Sequence, residues 1–249
     1  MRFNRLLPVI ILLIMALTLS GCGSKKKQAT PTAAGPAASP VTAASVLSTA
    51  SARWSSTQSA HFALTIDGKA YLDSSQTLAL RDAEGDLARP DSVQARAKIA
   101  ASLATLDIQI IGIGPDMFIT NFISGKWEKA PSDFGYNPSV LFSDTDGIGA
   151  VLKQIQSPKL EKDEDVNGTG AHVVSGIVNA ATISKMTAGA ITSDNIAVKV
   201  WISKDQADIL KVQITPPANS NNQAGTWTLL VTDHNKPVTI VSPIASPTS

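Results

Sequence analysis

SVQARAKIA (92–100) decides the architecture: Val93, Ala95, Ala97 and Ile99 alternate with Ser92, Gln94, Arg96 and Lys98. A period of two, apolar on one side and charged on the other, is the pattern of a half-buried β-strand. HFALTID (61–67) repeats it, with Phe62, Leu64 and Ile66 against Ala63, Thr65 and Asp67. Working outward, LDIQIIGIG (106–114) and DMFITNF (116–122) flank a Gly114-Pro115-Asp116 turn, and 159–178 reads as a hairpin closed at Asn167-Gly168. NIAVKVWIS (195–203), ILKVQIT (209–215) and GTWTLLVTD (225–233) complete about nine strands.

Helical spacing appears in three places. AASVLSTASARWSST (43–57) spaces Val46 or Leu47, Ala50 and Trp54 as one apolar stripe. The stretch 136–157 does so through Ile148, Val151, Leu152 and Ile155, and a short helix is expected over Ala180–Thr187. The order is a helix, about four strands, helices, then about five strands. Without βαβ spacing this excludes Rossmann and TIM architectures and predicts an α+β fold, a curved antiparallel sheet wrapped over helices. The link Ala70–Ala83 and the polar stretch Asn219–Asn222 are read as loops.

The ends of the chain read differently. Arg2 and Arg5 precede an apolar run, Leu6–Leu19, that ends in Leu19-Ser20-Gly21-Cys22. A run of about 14 residues is too short for a membrane span and fits a secretory signal peptide. Its Leu-Ser-Gly-Cys ending is a bacterial lipobox, so residues 1–21 are expected to be removed and Cys22 to carry a thioether-linked diacylglycerol. Acyl chains contribute about 0.8 kcal/mol per buried methylene, enough together to anchor the protein to the outer side of a membrane. Residues 22–41, rich in Ala, Pro and Lys, are expected to be a tether spanning roughly 25 Å as a coil. Lys25–Lys27 would lie against headgroups. Residues 42–241 form the domain, and 242–249 are expected to be a disordered tail.

Composition excludes several classes. The chain of 249 residues carries 21 basic and 20 acidic side chains, with no basic surplus for nucleic acid. Beyond residue 41 the balance is 16 against 20. One cysteine precludes a disulfide framework or a Cys-based zinc site. His61, His172 and His234 have no close second ligand, and no GxSxG elbow is present. GIGPDM (112–117) and GIGAVL (147–152) lack the third glycine of a dinucleotide loop and read as turns. Glu161, Asp163, Glu164 and Asp165 alternate with lysines as a solvated strand edge. Asn167-Gly168-Thr169 reads as the hairpin turn rather than a glycosylation acceptor. No enzyme, metal or cofactor is predicted.

Inward positions are small or aliphatic, and aromatic residues make up only 5% of the chain. Close packing requires the concave side of a curved sheet to be filled. Either the helices fill it, or it stays open for an apolar ligand; composition alone leaves both open.

Six segments bear on that choice: FALTIDG (62–68), AEGDLARPDSVQARA (83–97), YNPSVLFSDTDGIGAVL (136–152), EDVNGTGAHVVSGIV (164–178), VKVWISKD (198–205) and WTLLVTDHNKPVTI (227–240). Their ordered series, with GDLxRPD before a strand, YxPS before a helix and a closing D-x-x-K-P, resembles the LppX/LprAFG family of bacterial envelope lipoproteins over essentially all of 42–241. The resemblance implies an open half-barrel like that of the Lol-type carriers, with a hydrophobic cavity between sheet and helices and no catalytic residues. It also implies binding and transfer of lipids or acylated glycolipids across the cell envelope. An envelope transporter is a separate candidate partner. On this reading Phe62, Leu64, Ile66, Val93, Ala95, Ala97, Ile108, Ile110, Val198, Val200, Ile202, Val212 and Ile214 line the cavity. The alternative is a filled domain serving as an adaptor that recruits a transporter or another lipoprotein.

Overall fold

A computed structural model describes residues 40–71, 77–101, 104–131, 136–217 and 225–244. Residues 1–39, on which the signal peptide, Cys22 and most of the tether were expected, the expected loop Asn219–Asn222 and the last five residues lie outside the described residues.

The strands are β1 (Ser59–Tyr71), β2 (Ala79–Ala88), β3 (Ser92–Ala100), β4 (Thr105–Ile113), β5 (Asp116–Thr120) and β6 (Trp127–Lys129). After the central helical segment come β7 (Gln156–Leu160), β8 (Glu164–Val166), β9 (Thr169–Val178), β10 (Ile196–Ser203), β11 (Ile209–Thr215) and β12 (Thr226–Thr232). They form one sheet in the order β6-β5-β4-β3-β2-β1-β12-β11-β10-β9-β7, with β8 paired to β9 off that path. All pairings are antiparallel. The first and last strands meet in the middle of the sheet, His61 opposite Thr232 through Asp67 opposite Thr226. The α+β fold expected from the alternating segments is the fold observed, and Pro40–Ser249 forms a unit of its own.

Among the described residues twelve strands replace the nine expected, and the largest addition is β2. Its sequence ALRDAEGDLA does not alternate, because a register shift between Leu80 and Asp82 breaks the period of two. Within the stretch from Ala70 to Ala83, read as a link, Ala70 pairs with Leu80 and Tyr71 with Ala79, while residues 72–76 lie outside the described residues. β6 and β7 are short strands at the two edges of the path, and β7 contains Pro158, which an edge strand tolerates.

Helix α1 (Ala43–Ser56) starts from a capping box: Thr42 Oγ1 accepts from Ser45 N at 3.1 Å, and Ser45 Oγ accepts from Thr42 N at 3.0 Å. It buries Val46, Leu47, Ala50 and Trp54. The expected helix over 136–157 is interrupted. A 3-10 turn covers Pro138–Phe142, and α2 covers only Ile148–Leu152. Ser143–Gly147 breaks the run. The Ser143 hydroxyl accepts from Thr145 N and Asp146 N, and Gly147 packs where a Cβ would press on the carbonyls of Val140, Leu141 and Ser143. Helix α3 spans Ala180–Ile183, shorter than expected, and turns continue to Gly189.

These pieces pack on the concave face. Trp54 lies 4.9 Å from Phe142 between ring centroids, its Nε1 donates to Leu141 O at 3.0 Å, and Ser51 Oγ donates to Gly149 O at 2.7 Å. The outer face of β1–β3 carries cross-strand charges, with His61 opposite Asp86, Asp82 opposite Lys98 and Glu84 opposite Arg96. Around β8–β12 that face is not wholly polar: Trp201, Val173, Ala171 and Val166 form a second apolar cluster, and Lys211 sits 3.6 Å over the Trp201 ring.

Candidate functional site

The strand directions give the sheet two ends. At one end α1 hands over to β1, and the β2–β3, β4–β5 and β10–β11 turns gather there. That end is packed. Trp54, Phe142, Leu87 and Val93 are each at most 2% exposed, and Arg53 Nε donates to Asp208 Oδ1 at 2.7 Å beside the β10–β11 turn. At the opposite end lie the β1–β2, β3–β4, β5–β6 and β11–β12 connections and the segment after β9.

Between mid-sheet and this second end the concave face is hollow. A cavity of about 440 Å³, within the ~300–1,000 Å³ range of small-molecule sites, separates the strands from the helical segment. Strand residues Phe62, Leu64, Leu80, Ala83, Ala95, Ala97, Ile110, Val198, Val200, Val212, Ile214 and Leu229 form one wall. Leu141, Ile148, Val151, Leu152, Ile155, Ile183 and Met186 form the other. Ala188 also borders it and is exposed, so the cavity reaches the surface beside the segment following α3.

Two features keep the floor low. Ala95 and Ala97 are small, and Gly85 lies between Phe62 and Ala95 in the register. A Cβ on Gly85 would press into the Gln94 carbonyl and the Ala95 Cα, so β2 and β3 approach there only without a side chain.

Of the thirteen residues expected to line a cavity, nine do: Phe62, Leu64, Ala95, Ala97, Ile110, Val198, Val200, Val212 and Ile214. Four do not. Val93 and Ile202 sit at the packed end, 0% and 1% exposed, within the core around Trp54. Ile66 is buried in the same core, opposite Trp227. Ile108 is the register partner of Ala97 and half-buried, but lies outside the lining. Alternation fixes the face a residue occupies, not where along that face the helices pack. The helical wall, Leu78, Ala83, Val178, Trp227 and Leu229 had not been assigned. For Trp227 and Leu229 the signal was present, since they alternate along β12.

Three lining side chains bear nitrogen or oxygen. Tyr136 Oη donates to Met186 O at 3.0 Å, and burial pushes its phenol well above the usual tyrosine value. Thr187 Oγ1 donates to Ile183 O at 3.1 Å. Trp227 contributes its indole. No titratable pair meets in the cavity, and no cluster of three metal-ligating side chains occurs among the described residues. The histidines lie apart. His61 Nδ1 is 2.8 Å from Asp86, His172 Nδ1 is 3.0 Å from Asp163, and His234 Nε2 donates to Ile209 O at 3.0 Å. The acidic run is occupied by protein donors: Glu161 takes Ser175, Asp163 takes Lys204 and His172, Glu164 takes Trp201, and Asp165 takes the Gly168 amide. The Lys204 ammonium, then His172, holds the Asp163 carboxyl below the usual carboxylate value.

This fold has counterparts among known proteins. The sequence profile of the LppX_LprAFG lipoprotein family matches residues 42–240. The chain belongs to this family. Among LppX_LprAFG relatives, the lipoarabinomannan carrier protein LprG of Mycobacteroides abscessus is 27% identical over 245 residues, covering 98% of this chain and 99% of that protein. LprG of Mycobacterium tuberculosis is 25% identical over 198 residues, covering 77% of this chain and 76% of its own. The crystal structure of LprF from Mycobacterium bovis superposes with a TM-score of 0.65 at 19% identity, covering 82% of this chain and 97% of LprF. That of LppX from M. tuberculosis gives 0.57 at 15% identity, covering 80% and 98%. The likeness to LprF and LppX carries the fold. No helix among the described residues of this LppX_LprAFG member is long and apolar enough to cross a membrane.

Proposed function

We propose that this lipoprotein receives the acyl chains of a lipid or acylated glycolipid in its cavity and transfers it within the cell envelope. The observation that carries this reading is the apolar hollow of about 440 Å³ in a domain whose other end is tightly packed. Exposing a chain of about 15 methylenes to water costs roughly 12 kcal/mol at ~0.8 kcal/mol per methylene, so transfer needs an apolar receptacle. The nine lining residues first assigned, from Phe62 to Ile214, would contact the chains, together with the helical wall. Relatives named as lipoarabinomannan carriers favour a glycolipid ligand. No catalytic step is part of this reading.

The lipobox supports an anchor at Cys22 after removal of residues 1–21. Residues 22–41 would then tether the 42–241 domain to the extracytoplasmic face of the membrane, with 242–249 as a free tail. An envelope transporter that accepts the cargo is part of the same proposal.

Native mass spectrometry of the protein purified from a membrane-containing host tests it. A lipid adduct is the expected result. Protein that is lipid-free under conditions preserving non-covalent complexes would overturn the carrier reading in favour of an adaptor.

A further inference from the structure

Just beyond β5 the chain places two adjacent apolar side chains in water. Phe122 is 63% and Ile123 83% exposed, the latter the most exposed large apolar side chain among the described residues. Apolar residues scattered singly over a surface are ordinary; an adjacent pair on a closed turn is not. Asn121 organises that turn. Its Oδ1 accepts from Ile123 N and Ser124 N at 2.9 and 3.0 Å. Its backbone oxygen accepts from Gly125 N at 2.8 Å, and Gly125 has φ +66°. Its backbone N–H donates to Lys126 O at 2.8 Å, and its Nδ2 lies 3.3 Å from both carboxylate oxygens of Glu128. The backbone under Phe122 and Ile123 is therefore tied down on both sides.

The chemistry around the pair is that of an interface. Exposed Lys126 stands beside it, and half-buried Trp127 begins β6 at its base, opposite Thr120. An aromatic and an aliphatic tip with a cation and an indole behind it match the side chains that settle at headgroup level. The other nearby charges have protein partners, Glu128 with Asn121 and Lys129 with Asp116 Oδ1 at 2.8 Å. β5 runs from the packed end toward the open end of the sheet, and Ile119, just before the turn, pairs with Ile110 of the cavity wall.

Two side chains on a convex tip supply far less than the ~800 Å² per partner of a stable protein interface. A bilayer surface needs no matching groove, and anionic headgroups complement Lys126. A tether over residues 22–41 would hold the domain within about 65 Å of its anchor even at full stretch. Insertion then becomes an intramolecular step that needs little intrinsic affinity. The same tether is too long to decide which end of the domain faces the membrane.

Resting on the anchor at Cys22 proposed above, we infer that the β5–β6 tip inserts into the bilayer surface and turns the open end of the sheet toward it. The anchor sets distance, and the tip sets orientation.

In full-length lipoprotein the Cys22 thiol would be consumed by the anchor, which leaves Ile123→Cys as the one site for a bimane label. Reconstituted into vesicles of phosphatidylcholine and phosphatidylglycerol, the label reports insertion through quenching by spin-labelled lipid. Asp205→Cys, in the exposed turn at the opposite end, is the control. Quenching several-fold stronger at 123 than at 205 is expected. Phe122→Asp in the Ile123→Cys background should bring it down to the level at 205 with an unchanged melting temperature. Equal quenching at the two positions, in protein that floats with the vesicles, overturns the tip and leaves the anchor intact. Protein that does not float overturns both. Disulfide-linked dimers of unlabelled Ile123→Cys in the vesicles, with no quenching of the labelled form, assign the tip to a second copy and likewise overturn the inference.

Discussion

Ala97 tests the carrier reading at the level of one side chain, because it is 4% exposed yet faces a hollow rather than packed atoms. Ala97→Trp should abolish the lipid adduct while shifting the melting temperature by no more than a few degrees, since the indole would occupy space the protein leaves open. A large fall in melting temperature would mean that the site is packed core. His234 makes a different prediction. Burial lowers its pKa below the ordinary 6.5, against the raising influence of Asp208 and of its bond to Ile209 O. The unfolded chain therefore takes up this proton first as pH drops. Stability is fully present above about pH 6.5 and declines as pH falls toward the folded-state value. Melting temperatures from pH 7 to 5 should show that decline, and His234→Gln should flatten it. At this scale the sequence announced much. Alternation placed nine of the cavity residues, but it could not say that Val93 and Ile202 lie under the packed end.

Among the elements, α1 fixes the closed end through one residue. Trp54 is 2% exposed, packs on Phe142 and donates to Leu141 O. Trp54→Ala should cost about 3–5 kcal/mol in denaturant unfolding, the usual range for an aromatic deleted from a core. Gly85→Val in β2 should destabilise by several kcal/mol, because the new side chain meets the β3 backbone rather than a side chain that can move. Equilibrium unfolding measures both. β2 is also where strand reading failed: its register shift scrambles the pattern that made β1 and β3 plain. The helix expected over 136–157 failed for a related reason, since apolar spacing continued through Ser143–Gly147 while the hydrogen bonds there formed turns.

The whole molecule depends on a pairing no local pattern announces. Asp67 and Thr226 are 159 positions apart yet adjacent in the sheet, and β12 stands between the β1 and β11 ladders. Removing 225–249 should expose two strand edges and open the strand wall of the cavity at Trp227 and Leu229, and circular dichroism should show the cooperative melt lost together with aggregation. The ordering in time follows from the same seam. Non-local strand pairing forms slowly, and here the strand that joins the two halves of the sheet is the last of the described strands in chain order. For a chain that leaves the cell in the way proposed, that delay keeps the polypeptide threadable: an exporting pore meets a fold still waiting for its final strand.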